Sequence, residues 1–337
     1  MSFPFNPFPK ELFKIETPEV EFLNPYLCAV RLRELLYLKG IKKRCKFPAK
    51  VISIGNLSVG GTGKTPTTLE LAKFLTSRGY RVSVVLRGYK REKKGTLLVS
   101  NGKEIFFSPS EVGDEAYLYA RLLNIPVAVA ERRCEGVSLV VERFGPDVVL
   151  LDDAFQHLAL ERDLDIVLLT PKDLKDRVLP FGRLREPPAV LKRRGDFCLF
   201  TKTEHSPHLE EFCKALGKPY GYLTLKGFKL FTPSLEEVPL STLEGKEVGI
   251  VSALGDNETF QKQIFNLAKI YRFEVKKVLA FRDHYHYRGV KLDPNLLWLT
   301  TFKDLFKLDG RGQLLAVDRI FSLPEGLKEM VLKVVER

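Results

Sequence analysis

The sequence predicts an α/β protein in which two α/β/α-type domains face each other across a cleft. Short apolar runs, rich in β-branched residues, alternate with helix-like stretches along most of the 337 residues. This alternation is typical of layered α/β domains with mostly parallel sheets. A glycine-rich turn follows the first apolar run, and a proline- and arginine-rich stretch interrupts the pattern at 173–194. The predicted strands are 51–54, 82–86, 127–130, 148–151, 166–169, 197–200, 248–251, 275–281 and 297–300, and the predicted helices include 67–77, 114–122, 136–144 and 258–268.

The interruption of the alternation sets the predicted domain boundaries. We predict a first domain over residues 1–165, with a basic N-terminal helix, and a hinge over 166–195. A second α/β domain over 196–320 then completes the cleft. A helix is predicted within 321–337, and the sequence allows it to pack either on the second domain or back on the first.

Composition excludes several classes of protein. With 45% hydrophobic and 28% charged residues, the chain has the balance of a soluble globular protein. No apolar run reaches the roughly 18–20 residues that cross a bilayer, and the first 14 residues, MSFPFNPFPKELFK, lack the apolar centre of a signal peptide. The cysteines are odd in number, widely spaced and without a C-x-x-C pair, so we expect free thiols in a reducing cytoplasm: Cys28, Cys45, Cys134, Cys198 and Cys213.

Positive charge is concentrated in the segment 25–50. This segment holds eight basic residues and one acid, Glu34, and so carries +7 of the net charge of +12. Such a cluster suits a lipid surface or a polyphosphate, although a solvated basic face has the same composition. The stretch 25–41 has a helical pattern of apolar residues, which fits either burial against the domain or shallow contact with a membrane.

The strongest local signal is a glycine-rich loop between a predicted strand and a predicted helix. Bare backbone N–H groups can surround phosphate oxygens there, at the positive end of the helix. Lys64 is expected to reach the β- and γ-phosphates and to act in catalysis, and the Thr65 hydroxyl to bind Mg²⁺. The first domain is therefore predicted to be P-loop NTPase-like, although Ser58 replaces the first glycine of the usual pattern. The residues expected to bind the nucleotide are Ser58, Val59, Gly60, Gly61, Thr62, Gly63, Lys64 and Thr65.

Two acids, Asp152 and Asp153, follow the predicted strand 148–151. At the carboxyl edge of a parallel sheet they can hold Mg²⁺ directly or through water. A helix cap is the alternative, but the neighbouring P-loop favours a metal site. ATP is expected as the nucleotide, because the D-x-x-G of small GTPases is missing and Glu204 stands where a guanine-reading motif would have Asp.

Eight short motifs occur in a fixed order along the chain. They are GNLSVGGTGKTP, LRGY (86–89), GDE (113–115), DDAFQH (152–157), ERDLDI (161–166), LPFGRLREP (179–187), FRDHYHY (281–287) and TTFKD (300–304). This ordered set resembles the tetraacyldisaccharide 4′-kinase family over residues from about 25 to 307. The resemblance implies transfer of the γ-phosphoryl group of ATP to the 4′-hydroxyl of a tetraacyldisaccharide-1-phosphate, a lipid A precursor.

The resemblance also implies roles for individual residues. Asp114 is similar to the family's catalytic base, and His284, in the second domain, to its partner across the cleft. Asp152, Asp153 and Glu186 resemble its metal-associated acids. From the residues alone, Asp114 could instead cap the following helix and His284 could be an ordinary surface or core histidine. The implied contacts to nucleotide or phosphorylated lipid are Arg87, Tyr89, Arg133, Gln156, His157 and Arg185.

Three positions depart from the family's pattern. Ala116 stands where proline is usual, Ala154 where glycine is frequent, and Phe302 where an acidic or small polar residue is common. Ala154 adds a Cβ next to the predicted metal site, but none of the three changes removes a proposed catalytic group.

The expected substrate also predicts a location and partners. Acyl chains cannot leave the bilayer without a large hydrophobic penalty, so the segment 25–50 is expected to dock peripherally at the cytoplasmic face of the inner membrane. A nucleic-acid partner is not expected, and the chain is expected to be a monomer. The alternatives are a partition-type switch ATPase and a kinase of a small soluble sugar.

Overall fold

Two β-sheets with flanking helices organise the chain, which confirms the predicted α/β class. The structure is a computed structural model that describes residues 24–308 and 310–337. The start of the predicted first domain, including the segment searched for a signal peptide, lies outside these residues.

The first sheet has eight strands within the described residues, and it is parallel except at one edge. The strands are β1 (Lys50–Asn56), β2 (Val82–Leu86), β3 (Leu97–Asn101), β4 (Pro126–Val129), β5 (Val148–Asp152), β6 (Leu164–Leu169), β7 (Phe197–Phe200) and β8 (Tyr220–Tyr222). Their order is β3-β4-β2-β5-β1-β6-β7-β8, and β3 alone pairs antiparallel. The central strands are buried along nearly their whole length, as expected when both faces are covered. The accompanying helices are α2 (Lys64–Ser77), α3 (Pro109–Val112), α4 (Asp114–Leu122), α5 (Arg133–Phe144) and α6 (Pro207–Ala215).

The second sheet is mixed and, in the described part of the chain, has six strands. They are β9 (Thr224–Phe231), β10 (Glu237–Val238), β11 (Glu247–Ser252), β12 (Glu274–Ala280), β13 (Leu297–Thr300) and β14 (Gln313–Ser322), in the order β10-β9-β14-β13-β11-β12. β11 to β14 pair in parallel, whereas β9 runs antiparallel to β14 and β10. The helices of this unit are α7 (Asn257–Tyr271) and α8 (Phe302–Leu308).

The predicted domain boundary is wrong. β6 occupies 164–169 inside the predicted hinge, and β7 and β8, predicted to belong to the second domain, extend the first sheet in parallel. The run 197–200 is fully buried and pairs with the apolar strand β6, as expected for a parallel strand covered on both faces. The first sheet and its helices form the first unit of the molecule, and the second sheet and its helices form the second unit. The proline- and arginine-rich stretch is therefore an excursion within the first unit, and the second sheet begins only at Thr224.

The C-terminal helix α9 (Glu325–Val335) packs on the first unit. Its Leu327 and Val331 are buried in the same apolar cluster as the centre of the first sheet. The two residues at which the chain enters and leaves the second unit, Leu223 and Leu323, belong to that cluster as well. The chain thus returns to its first unit, which is one of the two arrangements that the sequence allowed.

Helix α4 joins the two units. Its Leu118 is buried in an apolar cluster with Trp298, Tyr287 and Phe302, all of the second unit. Because α4 begins at Asp114, this contact fixes the position of that carboxylate relative to the second sheet.

Cys45 and Cys134 form a disulfide, so the expectation of five free thiols is wrong for this pair. The two residues are 89 positions apart, and their Cα atoms lie 6.2 Å from each other. Spacing along the chain cannot reveal such a contact, because it depends on how α5 packs beside the segment before β1. Cys28, Cys198 and Cys213 are free, as expected.

Helix α1 (Pro25–Leu38) buries one part of its surface and exposes another. Asn24 caps it by accepting a hydrogen bond from the Leu27 N–H (3.2 Å). Leu27 and Glu34 are buried against the first unit, whereas other leucines of the helix are exposed to solvent. Across the described part of the chain, no helix combines the length and the apolar character that crossing a bilayer requires.

A close contact between Gly55 and Phe155 provides a test of how β1 positions the P-loop. A Cβ on Gly55 would lie 2.5 Å from the Phe155 Cβ and 2.8 Å from its backbone N. Gly55→Ala is expected to destabilise the protein by roughly 1–3 kcal/mol in denaturant unfolding, since the neighbouring backbone must move. Gly227→Ala is the control, because this strand position has no heavy atom within 4 Å. Equal stability of the two variants would contradict the prediction.

Candidate active site

The P-loop connects β1 to α2 in the predicted manner. Gly60 and Gly63 have φ angles of 115° and 94°, which glycine adopts without the strain that a Cβ would cause. Gly63 directly precedes α2, whose first residues are Lys64 and Thr65. The unpaired N–H groups of this helix start and its positive dipole end therefore face the loop.

Two side chains brace the P-loop from below. The Thr201 hydroxyl donates to the Thr62 carbonyl (2.7 Å), and the Asn56 amide donates to the Ser58 carbonyl (2.6 Å). Both hydrogen bonds tie loop carbonyls to residues at the carboxyl ends of first-sheet strands, since Asn56 ends β1 and Thr201 follows β7. The loop is thus shaped before a nucleotide arrives.

The proline- and arginine-rich excursion lies along the P-loop. The Val59 N–H donates to the Arg183 carbonyl (2.8 Å), and the Arg185 N–H donates to the Leu57 carbonyl (2.6 Å). Residues predicted as a hinge are therefore part of the nucleotide site.

A ring of polar contacts surrounds Lys64. Its Nζ lies 3.1 Å from Asn56 Oδ1 and 3.5 Å from Asp153 Oδ1. Arg185 bridges Asp153 (3.0 Å) and Gln156 (3.2 Å), and the Gln156 amide donates to the Asn56 carbonyl (3.0 Å). Burial alone would raise the pKa of Asp153, but Lys64 and Arg185 outweigh it and lower that pKa. The Lys64 ammonium is thus held by fixed partners at the start of α2.

Asp152 is the less satisfied member of the acidic pair. The Tyr119 hydroxyl donates to its Oδ2 (2.8 Å), while its buried Oδ1 has no hydrogen-bond partner among the described residues. Burial raises the pKa of Asp152 to about 6; Lys64 opposes this shift and Asp153 adds to it. A buried carboxylate oxygen without a partner requires a cation or an ordered water.

The residues present fit Mg²⁺, with one correction to the predicted ligands. The unpartnered Asp152 oxygen and the Thr65 hydroxyl are hard oxygen ligands beside the phosphate loop. Glu186 does not join them: its carboxylate forms an ion pair with Arg194. Within 24–308 and 310–337, no three His, Cys, Asp or Glu side chains converge on a metal position. Glu186 is buried, and its charge compensates an arginine rather than a metal ion.

Asp114 and His284 meet across the two units. The His284 Nδ1 lies 3.0 Å from Asp114 Oδ2. Gly113 is the residue that precedes α4, and Asp114 makes no capping hydrogen bond. The alternative that Asp114 is only a helix cap is therefore wrong. His284 has a positive φ of 63°, and its ring contacts Tyr89, with centroids 5.2 Å apart.

Two lysines of α8 also face Asp114. Lys307 Nζ lies 3.1 Å and Lys303 Nζ 3.9 Å from Asp114 Oδ2. Burial would raise the pKa of Asp114, but the hydrogen bond with His284 and the two ammonium charges lower it to about 2. This carboxylate is therefore ionised throughout the physiological pH range.

Arginines surround the remaining predicted contact residues. Arg133 is buried, and its Nε has no partner among the described residues. Burial lowers the pKa of Arg133 to about 10, although Asp153 and Asp152 oppose this shift. Burial also lowers the pKa of His157 to about 4, assisted by the charges of Arg133, Arg162, Arg33 and Arg87. Such a concentration of positive charge suits a phosphate group.

The second unit approaches the P-loop directly. A Cβ on Gly255 would lie 3.8 Å from the Gly61 backbone N. Next to it, Asp256 forms an ion pair with Lys202 (2.7 Å), which follows the first-unit strand β7. The two units thus come close to each other beside the phosphate loop.

Several residues of the site have no predicted role. Tyr119 and Lys307 contact predicted residues but lie outside all the motifs, whereas Asn56 lies within the motif GNLSVGGTGKTP without a role assigned to it. Lys303 is within the quoted motif TTFKD, without a role assigned to it. Its i+4 spacing from Lys307 on one helix was the available signal, since such residues share a face.

The fold and the site together define a P-loop phosphotransferase. A parallel sheet carries the phosphate loop and an acidic pair at its edge, and a second unit brings a histidine and two lysines to a carboxylate opposite them. Comparison with known proteins identifies the family within this class. The family profile described as Tetraacyldisaccharide-1-P 4′-kinase matches residues 22–336.

Relatives support the same assignment. The tetraacyldisaccharide 4′-kinase of Aquifex aeolicus is 42% identical over 312 residues, covering 90% of this chain and 94% of that protein. That of Chlorobium limicola is 37% identical, covering 86% of each chain. The crystal structure of LpxK from Aquifex aeolicus in complex with ATP superposes with a TM-score of 0.81 at 40% identity, covering 94% of this chain and 98% of that one. The chain therefore belongs to the tetraacyldisaccharide 4′-kinase family.

The two acids at the end of β5, Asp152 and Asp153, are expected to have opposite effects on the stability of the ligand-free protein. The raised folded-state pKa of Asp152, about 6, makes its ionisation destabilising. The cost is absent below the unfolded pKa of about 4, grows as pH rises, and is complete above pH 6. Asp152→Asn should therefore raise the unfolding free energy at pH 8, by up to roughly 3 kcal/mol, and should change it little near pH 4.

Asp153→Asn is the matched comparison. The pKa of Asp153 is lowered by Lys64 and Arg185, so its charge stabilises the fold above the unfolded pKa, and its loss should lower the melting temperature at pH 8. Thermal unfolding of both variants at the two pH values checks the prediction. A melting temperature of Asp152→Asn equal to or below that of the wild type at pH 8 would contradict it.

Proposed function

We propose that this chain transfers the γ-phosphoryl group of ATP to the 4′-hydroxyl of a tetraacyldisaccharide-1-phosphate. Family membership supports the substrate, and the ATP complex of the relative supports the nucleotide. The observation that carries the proposal is the ionised Asp114, held by His284 from the opposite unit. A carboxylate held between the two units suits a bound acceptor hydroxyl, whereas the only acceptor of a switch ATPase is water.

Asp114 is the proposed acceptor of the substrate proton. The hydroxyl oxygen forms a bond to the γ-phosphorus, the bond between this phosphorus and the β,γ-bridging oxygen breaks, and ADP leaves with the electron pair. The hydroxyl proton passes to Asp114 and then to solvent. A carboxylate with a pKa of about 2 is a weak base, so it orients the hydroxyl first and takes the proton late. This order suits the loose transition state of phosphoryl transfer.

Lys64 is the proposed counter-charge for the transferred group. Its contacts with Asn56 and Asp153 aim the ammonium at the phosphate loop, so little reorganisation is needed during the reaction. Thr65 and Asp152, with Asp153 beside them, would hold Mg²⁺, which would neutralise charge on the phosphate oxygens. Closure of the second unit near Gly61 excludes water, which would otherwise hydrolyse ATP.

The remaining predicted residues are proposed to bind the anionic groups of the substrates. Residues 58–65 bind the triphosphate, and Arg185 and Gln156 hold the loop beside it. The exposed Tyr89 contacts His284, beside the proposed position of the acceptor sugar. The exposed Arg87 adds its charge near Arg133 and His157. Arg133 provides positive charge for a phosphate, and His157, which is neutral because its pKa is about 4, can offer a hydrogen bond.

Phosphoryl transfer can be tested with an isosteric change at the proposed base. With labelled ATP and a disaccharide-1-phosphate lipid in detergent micelles, Asp114→Asn is expected to lose roughly a hundredfold or more in kcat, as is Lys64→Met. Asp163→Asn is the control and should retain activity, because Asp163 precedes β6 and lies at the amino ends of the first-sheet strands, away from the P-loop. ATP hydrolysis by the wild type without lipid labelling would favour the switch ATPase, and labelling of a soluble sugar would favour the other alternative.

We propose that the chain docks peripherally at the cytoplasmic face of the inner membrane through α1 and the basic residues that follow it. Four aliphatic side chains of this region are each at least half exposed: Leu32 (59%), Leu35 (50%), Leu38 (59%) and Ile41 (67%). Together with the +7 charge of 25–50, they suit insertion among anionic headgroups. A lipid surface accounts for this positive charge without a nucleic-acid partner. Asp114 and His284 both come from one chain, so a monomer contains the complete catalytic pair.

Membrane docking predicts a selective loss of vesicle binding. The triple variant L32S/L35S/L38S should bind vesicles containing anionic lipid at least tenfold more weakly, because about 25 cal/mol per Å² of inserted apolar surface is lost. F265S/I270S is the control, since these side chains are also exposed (43% and 68%) but lie on α7. Co-sedimentation measures the binding. Equal binding of the two variants would contradict the proposed orientation.

A further inference from the structure

The side chain of Lys307 is held in one place between the two units. It lies in the last turn of α8, and its Nζ is 3.1 Å from Asp114 Oδ2 and 3.3 Å from Asp304 Oδ1. It also lies 5.6 Å from the ring centroid of the buried Tyr287. The side chain is 8% exposed, so water contributes little to its solvation and the two carboxylates determine its position.

Asp304 is itself fixed. It is completely buried, and its Oδ2 accepts hydrogen bonds from the Ala253 N–H (3.0 Å) and the Thr301 hydroxyl (3.0 Å). Its other oxygen faces Lys307. A rigid chain of contacts therefore runs from the second-unit backbone through Asp304 and Lys307 to the first-unit Asp114.

The two oxygens of Asp114 have different surroundings. His284 and Lys307 both contact Oδ2, at 3.0 and 3.1 Å. Oδ1 accepts no hydrogen bond from any residue that the structure describes, and it is not among the fully buried polar atoms without a partner. Two donors on one oxygen fix the plane of the carboxylate and leave the other oxygen available.

We infer that Lys307 is a positioning residue for phosphoryl transfer, holding Asp114 Oδ2 from the second unit so that Oδ1 receives the proton of the acceptor hydroxyl. The inference rests on the proposed role of Asp114. Lys307 touches neither substrate, and it acts through the carboxylate that it orients. A misplacement of this carboxylate by about 1 Å is enough to cost roughly a hundredfold in rate.

Lys303, one turn earlier on α8, is a natural comparison. Its closest partners are Asp283 (2.9 Å) and Glu115 (3.3 Å), and it lies 3.9 Å from Asp114. Burial would lower the pKa of Lys303, but Glu115 and Asp283 outweigh this and raise it. Lys303 therefore compensates the neighbouring acids, whereas Lys307 contacts the proposed base directly.

The acid limb of the pH–rate profile separates positioning from simple support of the fold. Removal of the Lys307 charge destabilises the ionised form of Asp114, so the pKa of this carboxyl must rise. Protonation of Asp114 must then inactivate the enzyme at a higher pH than in the wild type. The charged and titratable groups that face Asp114 and its partners are Glu115 on α4, His284 and Asp283 on the preceding loop, Tyr287, and Lys303, Asp304 and Lys307 on α8.

The experiment compares Lys307→Met, Lys307→Arg and Lys303→Met in the micelle assay between about pH 3 and 9, so that an acid limb rising from the low pKa of Asp114 enters the measured range. For Lys307→Met we expect kcat to fall by about tenfold to a hundredfold, with a lipid KM within about threefold of wild type and an acid limb moved to higher pH. Lys307→Arg should recover part of kcat and return the acid limb toward wild type. Lys303→Met should move the acid limb less. A wild-type kcat and acid limb in Lys307→Met, or a lower kcat with an unmoved acid limb, would overturn the inference.

Two further variants keep the result interpretable. Lys307→Met leaves Asp304 buried without its cation, so D304N/K307M is measured alongside it; the asparagine can still accept both hydrogen bonds. A folded double variant with the same kinetic defect supports the inference, and one with wild-type kinetics refutes it. Asp114→Asn separates a failure of the proposed base from a failure of the proposed role of Lys307. Full activity of Asp114→Asn would refute the proposed base. If Asp114→Asn is inactive and Lys307→Met has normal kinetics, only the role of Lys307 is refuted.

Discussion

The burial of one charge, that of Asp114, constrains both units of the molecule. Its side chain is 9% exposed, and a carboxylate so removed from water stays ionised only when donors or cations face it. Those within 4 Å, His284, Lys307 and Lys303, all come from the second unit. The reactive form of the site therefore exists only while the units are together. In water the Asp114 carboxyl is ionised at neutral pH in any case, so the second unit is needed to keep it ionised and oriented once it is buried.

The first unit solves a different electrostatic problem. Its P-loop brings together N–H groups and Lys64, and Asp153 and Arg185 balance these charges before any nucleotide binds. Asp152 remains the exception, with one buried oxygen without a partner among the described residues and a pKa raised by burial. A bound cation would relieve this local destabilisation, so the unpartnered Asp152 oxygen would strengthen the binding of a cation at the site.

Local and distant features differ in how far the sequence predicts them. The P-loop is predicted correctly because strand, glycines, Lys64 and helix are adjacent in the chain. The Asp114–His284 contact joins residues 170 positions apart, so only the family resemblance brings them together. Lys307 escapes prediction because its function depends on where α8 packs. The predicted domain boundary is wrong for a similar reason. The composition reveals a proline- and arginine-rich stretch, but it does not reveal that the run 197–200 pairs with the first sheet.

The return of the chain to its first unit limits how the second unit can move. Strands β9 and β14 pair next to both crossing points, with Thr224 opposite Ser322 and Leu225 opposite Phe321. The residues just outside them, Leu223 and Leu323, are anchored in the core of the first unit. The second unit is therefore an insertion on a two-stranded neck, tied at both ends to one small area. This attachment favours rotation of the second unit about the neck over translation away from the first unit.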